Sequence, residues 1–208
     1  MAQTYLTRTN SGTGSETKGT FSAWIKRGVL GGSSDYIWHT SEDTNNDIKI
    51  LTNSSDSIRI RGINNGTAVV NLIPNNLFRD VSAWYHLVVA FDTTQSTEAD
   101  RIKMYVNGVQ ITSFSTAVYP SQNLNLKLNQ SGDRRTIGTA YDNGGSPSNA
   151  YWNGSMSHIH WVDGTAYPAS TFGETDATTG EWKIKTSPSV TYGTNGFFIL
   201  KDGNSVTD

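Results

Sequence analysis

Residues 102–112 carry the pattern that most constrains the fold. Ile102, Met104 and Val106 alternate with Lys103 and Tyr105, Asn107–Gly108 follows, and Val109–Gln110–Ile111–Thr112 returns. Asn-Gly supplies the two positive-φ residues of a type I′ turn, so these runs predict a tight antiparallel hairpin of set register. The preceding stretch Trp84–Tyr85–His86–Leu87–Val88–Val89–Ala90–Phe91 is apolar at odd and even positions alike. That predicts a central strand covered on both faces.

The rest of the chain repeats the theme. Phe21, Ala23 and Ile25 alternate with Ser22, Trp24 and Lys26 before Gly28 and Gly31–Gly32 break the run; Tyr36–Ile37–Trp38 comes next. Ile48 and Ile50 flank Lys49, and Ile58 and Ile60 flank Arg59, as in half-buried strands. Further strands are expected at 124–128, 135–137, 155–162 and 197–200. One helical turn fits Tyr167 to Phe172, with Pro168 at its first position. Many short strands without βαβ alternation predict an all-β fold, a two-sheet antiparallel β-sandwich of the jelly-roll kind. The 208 residues suit one such domain, 1–208.

Composition narrows the function classes. There are no cysteines, which removes disulfides, thiolate zinc sites and cysteine nucleophiles together. The net charge is −2 and charged residues make up only 16%. Arg59 and Arg61 share a strand face and Arg134–Arg135 read as turn residues, so these cations are expected to be solvated. They are too few and too scattered to neutralise a run of phosphates, and no nucleic-acid partner is expected. The N-terminus has neither a basic nor an apolar signal region, and no run of apolar residues is long enough for a span, so neither export nor membrane insertion is expected. N-x-[ST] sequons at Asn53, Asn65, Asn129 and Asn153 are therefore read as turn chemistry.

Three segments resemble the laminin-G-like branch of the concanavalin A-like lectin and glucanase superfamily. They are Gly19–Thr20–Phe21–Ser22–Ala23–Trp24–Ile25–Lys26; the W-x-H-L-V strand at Trp84–Asp92 with its Y-V-N-G hairpin at Tyr105–Gly108; and Trp152–Asn153–Gly154–Ser155–Met156–Ser157–His158–Ile159. Phe172–Asp176, Gly180–Lys183 and Tyr192–Phe197 resemble the ending of sandwich domains in marine phage and virus particle proteins. In such proteins the chain often continues, so this one is expected to be the front part of a longer polypeptide.

The resemblance raises three chemistries. Superfamily glycosidases carry an E-x-D-x-x-E run on one strand. Here Glu174–Thr175–Asp176 is followed by Glu181 across a turn, the wrong spacing, and no serine sits in a nucleophile elbow, so no catalytic residue is assigned. Calcium is the one cofactor the family allows, with Asp47, Asp92, Asp142 and Asp163 as available ligands. No metal site is assigned, because Glu42–Asp47 lacks an EF-hand glycine. His158 and His160 share a strand face but lack a third ligand by spacing, and His86 reads as a core histidine donating to a backbone carbonyl. Carbohydrate binding needs aromatic platforms and amide or carboxylate partners. Trp38, Tyr141, Asp142, Asn143, Tyr151 and Trp152 are the candidates, against the alternative that Trp38 and Trp152 fill the core.

These features together lead to the expectation of a non-enzymatic structural protein on a virion surface, in a capsid decoration or a tail or head fibre. Its partners would be other virion proteins, further copies of itself and host-surface glycans. Virions assemble in the host cytoplasm yet act outside cells, which reconciles an extracellular type of domain with a missing export signal. The alternatives are a stand-alone carbohydrate-binding lectin of cellular origin and, behind it, a glycoside hydrolase.

Overall fold

Alternating apolar residues punctuated by Gly and Asn turns produce fifteen strands among the described residues of a computed structural model. These residues are 4–32, 34–43, 45–141, 146–148 and 150–201. In chain order the strands are β1 (Leu6–Thr9), β2 (Lys18–Arg27), β3 (Asp35–Asp43), β4 (Asn46–Thr52), β5 (Ile58–Asn64), β6 (Thr67–Pro74), β7 (Tyr85–Asp92) and β8 (Ile102–Val106). Then come β9 (Val109–Ile111), β10 (Phe114–Val118), β11 (Arg134–Ile137), β12 (Gly154–Asp163), β13 (Gly173–Thr175), β14 (Trp182–Ile184) and β15 (Phe197–Ile199).

Seven strands form one antiparallel sheet in the order β1-β11-β3-β4-β5-β6-β10, and six form the other in the order β15-β12-β2-β7-β8-β9. The inward residues of both sheets make one core, with Trp38, Ile48, Ile50, Ile58 and Ile60 from the first and Phe21, Val89, Phe91, Met104 and Trp161 from the second. This is the expected all-β sandwich. Asn107 and Gly108 lie at φ 48° and 81°, and β8 pairs with β9 across them. Gly108 has a second role there, since a Cβ on it would lie 2.6 Å from the Trp182 ring.

β7 is interior to the six-stranded sheet, and the structure shows what covers its second face. Val88 packs with Val162, Ala169 and Phe172, flanked by Tyr105, Tyr167, Trp182 and Tyr192. The segment after β12, including the small β13–β14 hairpin, is therefore a lid on the outer face of this sheet. Its helical turn spans Ala169–Thr171, with Pro168 as the N-cap rather than the first position.

Two expectations need correcting. The segment 124–128 is not a strand: Asn123 and Lys127 adopt φ 60° and 53°, which interrupts extended pairing, although Leu126 and Leu128 are still buried. Arg135 is not a solvated turn charge but lies on β11 with its side chain inside the sandwich. Its guanidinium is 4.5 Å from the Trp161 ring centroid and donates to Asn10 Oδ1, the Leu128 and Asn195 carbonyls and Asn129 Oδ1. Burial pushes it down to about 9, opposed by Asp163 and Asp133.

Asn129 joins the two layers at this point. Its Oδ1 also accepts from Trp161 Nε1 at 2.8 Å, and its amide donates to the Ser15 carbonyl at 2.6 Å. The sequon residue is thus a buried polar joint, where the sequence reading had a turn residue. Asn53 does act as a turn former, its Oδ1 accepting from Ser55 N and Ser57 N.

Candidate functional site

Arg134 precedes Arg135 on β11 and therefore points to the opposite side, the outer face of the seven-stranded sheet. The chain after β11 folds back over this face: Thr136 Oγ1 donates to the Thr139 carbonyl, and the Tyr141 N–H donates to His39 Nδ1. Tyr141 is thereby held with its ring 4.2 Å from the Arg134 guanidinium. Tyr5, just before β1, packs edge-on against Tyr141 at 6.2 Å and tilts against Tyr151, also at 6.2 Å.

Tyr5, Tyr141, Tyr151 and Arg134 are all half-exposed, a contiguous aromatic and polar surface at the β1–β11 edge. Hydrogen bonding and charge repulsion from Tyr141 raise the Tyr5 phenol above its ordinary value, so it stays protonated at neutral pH. Such a cluster can offer π-faces to the apolar side of a sugar ring and phenol, guanidinium and backbone groups to its hydroxyls.

The other sequence candidates separate cleanly. Trp38 is fully buried, stacked on Trp161 at 4.8 Å, so neither of its faces can meet a ligand; it belongs to the core and leaves the site. Trp152 is half-buried and packs against the same core. Asp142 and Asn143 lie outside the described residues. Tyr5 and Arg134 were missed, Tyr5 because it lies far from Tyr141 in the chain and Arg134 because it was read together with Arg135 as a turn.

The carboxylates considered for calcium are mostly committed. Asp92 accepts from Thr94 and Gln95, and Asp163 accepts from Ser15 N and from the backbone and side chain of Asn195. Asp47 pairs with Lys49 at 2.8 Å. Glu174 and Asp176 both reach Lys183, at 3.6 and 3.0 Å. Among the described residues no group of three His, Asp or Glu side chains could hold a metal ion.

Three histidines pack in aromatic clusters, His86 between Trp24 and Trp182, and His158 and His160 on Phe198. Trp182 Nε1 donates to His86 Nδ1 at 2.9 Å, so the proton of neutral His86 resides on Nε2 and is donated to Ser22 Oγ at 2.9 Å. The expected backbone carbonyl partner is replaced by this side-chain pair. The polarity is opposite to that of a general base, since a histidine that donates to a serine cannot take its proton. His160 stacks on Phe198 at 3.9 Å and bonds Tyr192, and His158 contacts the same Phe198 ring. Burial pushes His39, His86 and His160 each down to about 3.

Comparison with known proteins supports the architecture. A structure with the same fold is the heptameric SAP-like pentraxin from Limulus polyphemus, at TM-score 0.59 and 14% identity, covering 98% of this chain and 92% of that one. Tailspike protein 2 of the Escherichia coli O157:H7 bacteriophage CAB120 matches at TM-score 0.55 and 14% identity, covering 81% of this chain. The match spans only 22% of the tailspike. No curated protein sequence matches. A laminin-G family profile described as "Concanavalin A-like lectin/glucanases superfamily" matches residues 2–170, and the chain belongs to that superfamily.

Proposed function

We propose that this chain is a non-enzymatic glycan-recognition module displayed on the surface of a virus particle, as part of a capsid decoration or a tail or head fibre. The observation that carries the recognition half is the half-exposed cluster of Tyr5, Tyr141 and Tyr151 with Arg134 over Tyr141. Its rings are held in place by one another and by backbone contacts, so little conformational entropy is lost on binding a sugar.

The donor polarity of His86 toward Ser22 and the ion pairs of Glu174 and Asp176 with Lys183 favour binding over catalysis. Display on a particle rests on the particle-protein resemblance of residues 172–197. Val29, Leu30, Leu77, Val81 and Trp84 are exposed apolar side chains available for self-association or for neighbouring virion proteins.

Both halves can be tested separately. Particles purified on a density gradient should carry peptides of this chain in fixed proportion to the major capsid protein; peptides confined to the soluble fraction would instead favour a stand-alone cellular lectin. On an oligosaccharide panel the isolated domain should show saturable retention that Tyr141→Ala abolishes. Retention unchanged by that substitution would move the site elsewhere.

A further inference from the structure

The outer face of the seven-stranded sheet beyond the tyrosine cluster is unusual in its charge. Ile58 and Ile60 of β5 point into the core, so Arg59 and Arg61 point outward two residues apart. Lys49 lies directly across from Arg61, with His39 across from Lys49 on its other side and Thr136 across from His39. One row of side chains therefore runs over β11, β3, β4 and β5, and Arg134 and Asp47 belong to the next row.

The described charges on this part of the face are Arg134, Lys49, Arg59 and Arg61 against one carboxylate, Asp47, which is held by Lys49. Asp43 stands at the strand end nearby and acts on Asp47. Arg59 donates through Nε to Asn71 Oδ1, a neutral amide, at 2.8 Å. Burial and the neighbouring Arg61 both push the Arg59 guanidinium below its ordinary value. Two like charges side by side are destabilising in the free protein, so an anion placed between them would relieve repulsion as well as form charge-assisted bonds.

A second observation lies on the same face. His39 is 1% exposed and Nε2 has no hydrogen-bond partner, while Asp47 Oδ1 is likewise buried without one. With Nδ1 accepting the Tyr141 N–H, Nε2 carries the proton, so a buried donor and a buried acceptor on the same face as the arginines lack hydrogen-bond partners. Tyr36, 5.8 Å from Lys49 Nζ and in the neighbouring row with Leu51 and Arg59, adds an aromatic ring.

We infer that this face selects acidic saccharides, with Arg59 and Arg61 receiving carboxylate or sulfate groups of a chain whose neutral rings lie against Tyr36 and the tyrosine cluster. The inference rests on the glycan-recognition reading and names its substrate class. Carboxylate and sulfate present the same chemistry to paired guanidinium groups, and the test separates them.

The test uses the whole chain and three immobilised polymers with one backbone: dextran, carboxymethyl-dextran and dextran sulfate, alongside alginate as a polyuronate. Retention is expected on acidic polymers, of whichever acid type, and to weaken with salt. The double variant Arg59→Gln/Arg61→Gln should lower it at least about tenfold. Lys183→Gln/Lys185→Gln, with the same loss of charge in the lid segment over the other sheet, should leave it unchanged.

Equal loss in both double variants, equal binding of duplex DNA, or equal retention on neutral dextran would overturn the assignment. Neutral saccharide binding that needs Tyr141 but neither arginine would overturn it while leaving glycan recognition intact. An absence of binding to every saccharide, acidic or neutral, would remove both.

Discussion

The guanidinium of Arg134 sits 4.2 Å from the ring of Tyr141 on the outside of the sheet, while that of its chain neighbour Arg135 sits 4.5 Å from the ring of Trp161 inside it. Strand alternation alone produces this division, and it separates two jobs. Arg135 ties the N-terminal segment, β11, β12 and the Asn195 loop into one joint. Arg134 helps to build the surface that we assign to ligand.

The joint should be costly to break. Asn129→Ala leaves Arg135 and Trp161 without a shared buried acceptor, and a loss of about 3 kcal/mol in urea unfolding is expected. Trp161→Phe and Trp38→Phe remove the same volume from neighbouring core positions. The first also abandons a hydrogen bond, whereas Trp38 Nε1 has no partner, so Trp161→Phe should cost about 1 kcal/mol more. Equal costs would mean that the Asn129 contact contributes nothing.

Stability should fall in acid for a definite reason. His39, His86 and His160 are held neutral, with folded values of about 3 against 6.5 for the free side chain. The unfolded chain thus binds more protons between these values, and stability is full above 6.5 and declines as pH falls toward 3. At pH 5 each histidine accounts for about 2 kcal/mol of that decline. Urea midpoints should drop between pH 7.5 and pH 5, and His86→Gln should make the dependence shallower by about a third. A midpoint independent of pH over this interval would contradict the burial of these rings.

Gly108 couples the hairpin to the lid. A Cβ there would occupy a φ of 81° and strike Trp182, so Gly108→Ala should cost about 1–2 kcal/mol from the backbone alone and also displace the indole. Trp182 fluorescence should shift in the folded variant, because its bond to His86 would be disturbed. An unchanged spectrum would show that the hairpin and lid are independent.

The architecture was largely legible because its signals are local. Asn107–Gly108 announced one hairpin, and the two-sided apolar run at 85–91 announced a covered strand whose cover is the segment containing Phe172 and Trp182. Asn65–Gly66, at φ 48° and 76°, joins β5 to β6 by the same turn logic, in line with the turn reading of its sequon, whereas β6 itself was not expected.

The site was less legible because it is assembled from distant parts. Tyr141 and Tyr151 could be chosen as aromatics in a turn-rich stretch, but Tyr5 meets them only through the pairing of β1 with β11. Composition likewise cannot say which tryptophan faces inward; Trp38 was a candidate until its stack with Trp161 placed it in the core. The pairing of Arg61 with Lys49 depends on register between β4 and β5, which residue spacing within one strand does not contain.

The central claim is that the tyrosine cluster binds sugar, and calorimetric titration with the best-retained oligosaccharide tests it most directly. Wild type should bind saturably, and Tyr5→Ala/Tyr141→Ala should weaken binding at least about tenfold while keeping the unfolding free energy within about 1 kcal/mol of wild type. Undiminished affinity in that folded double variant would contradict the account.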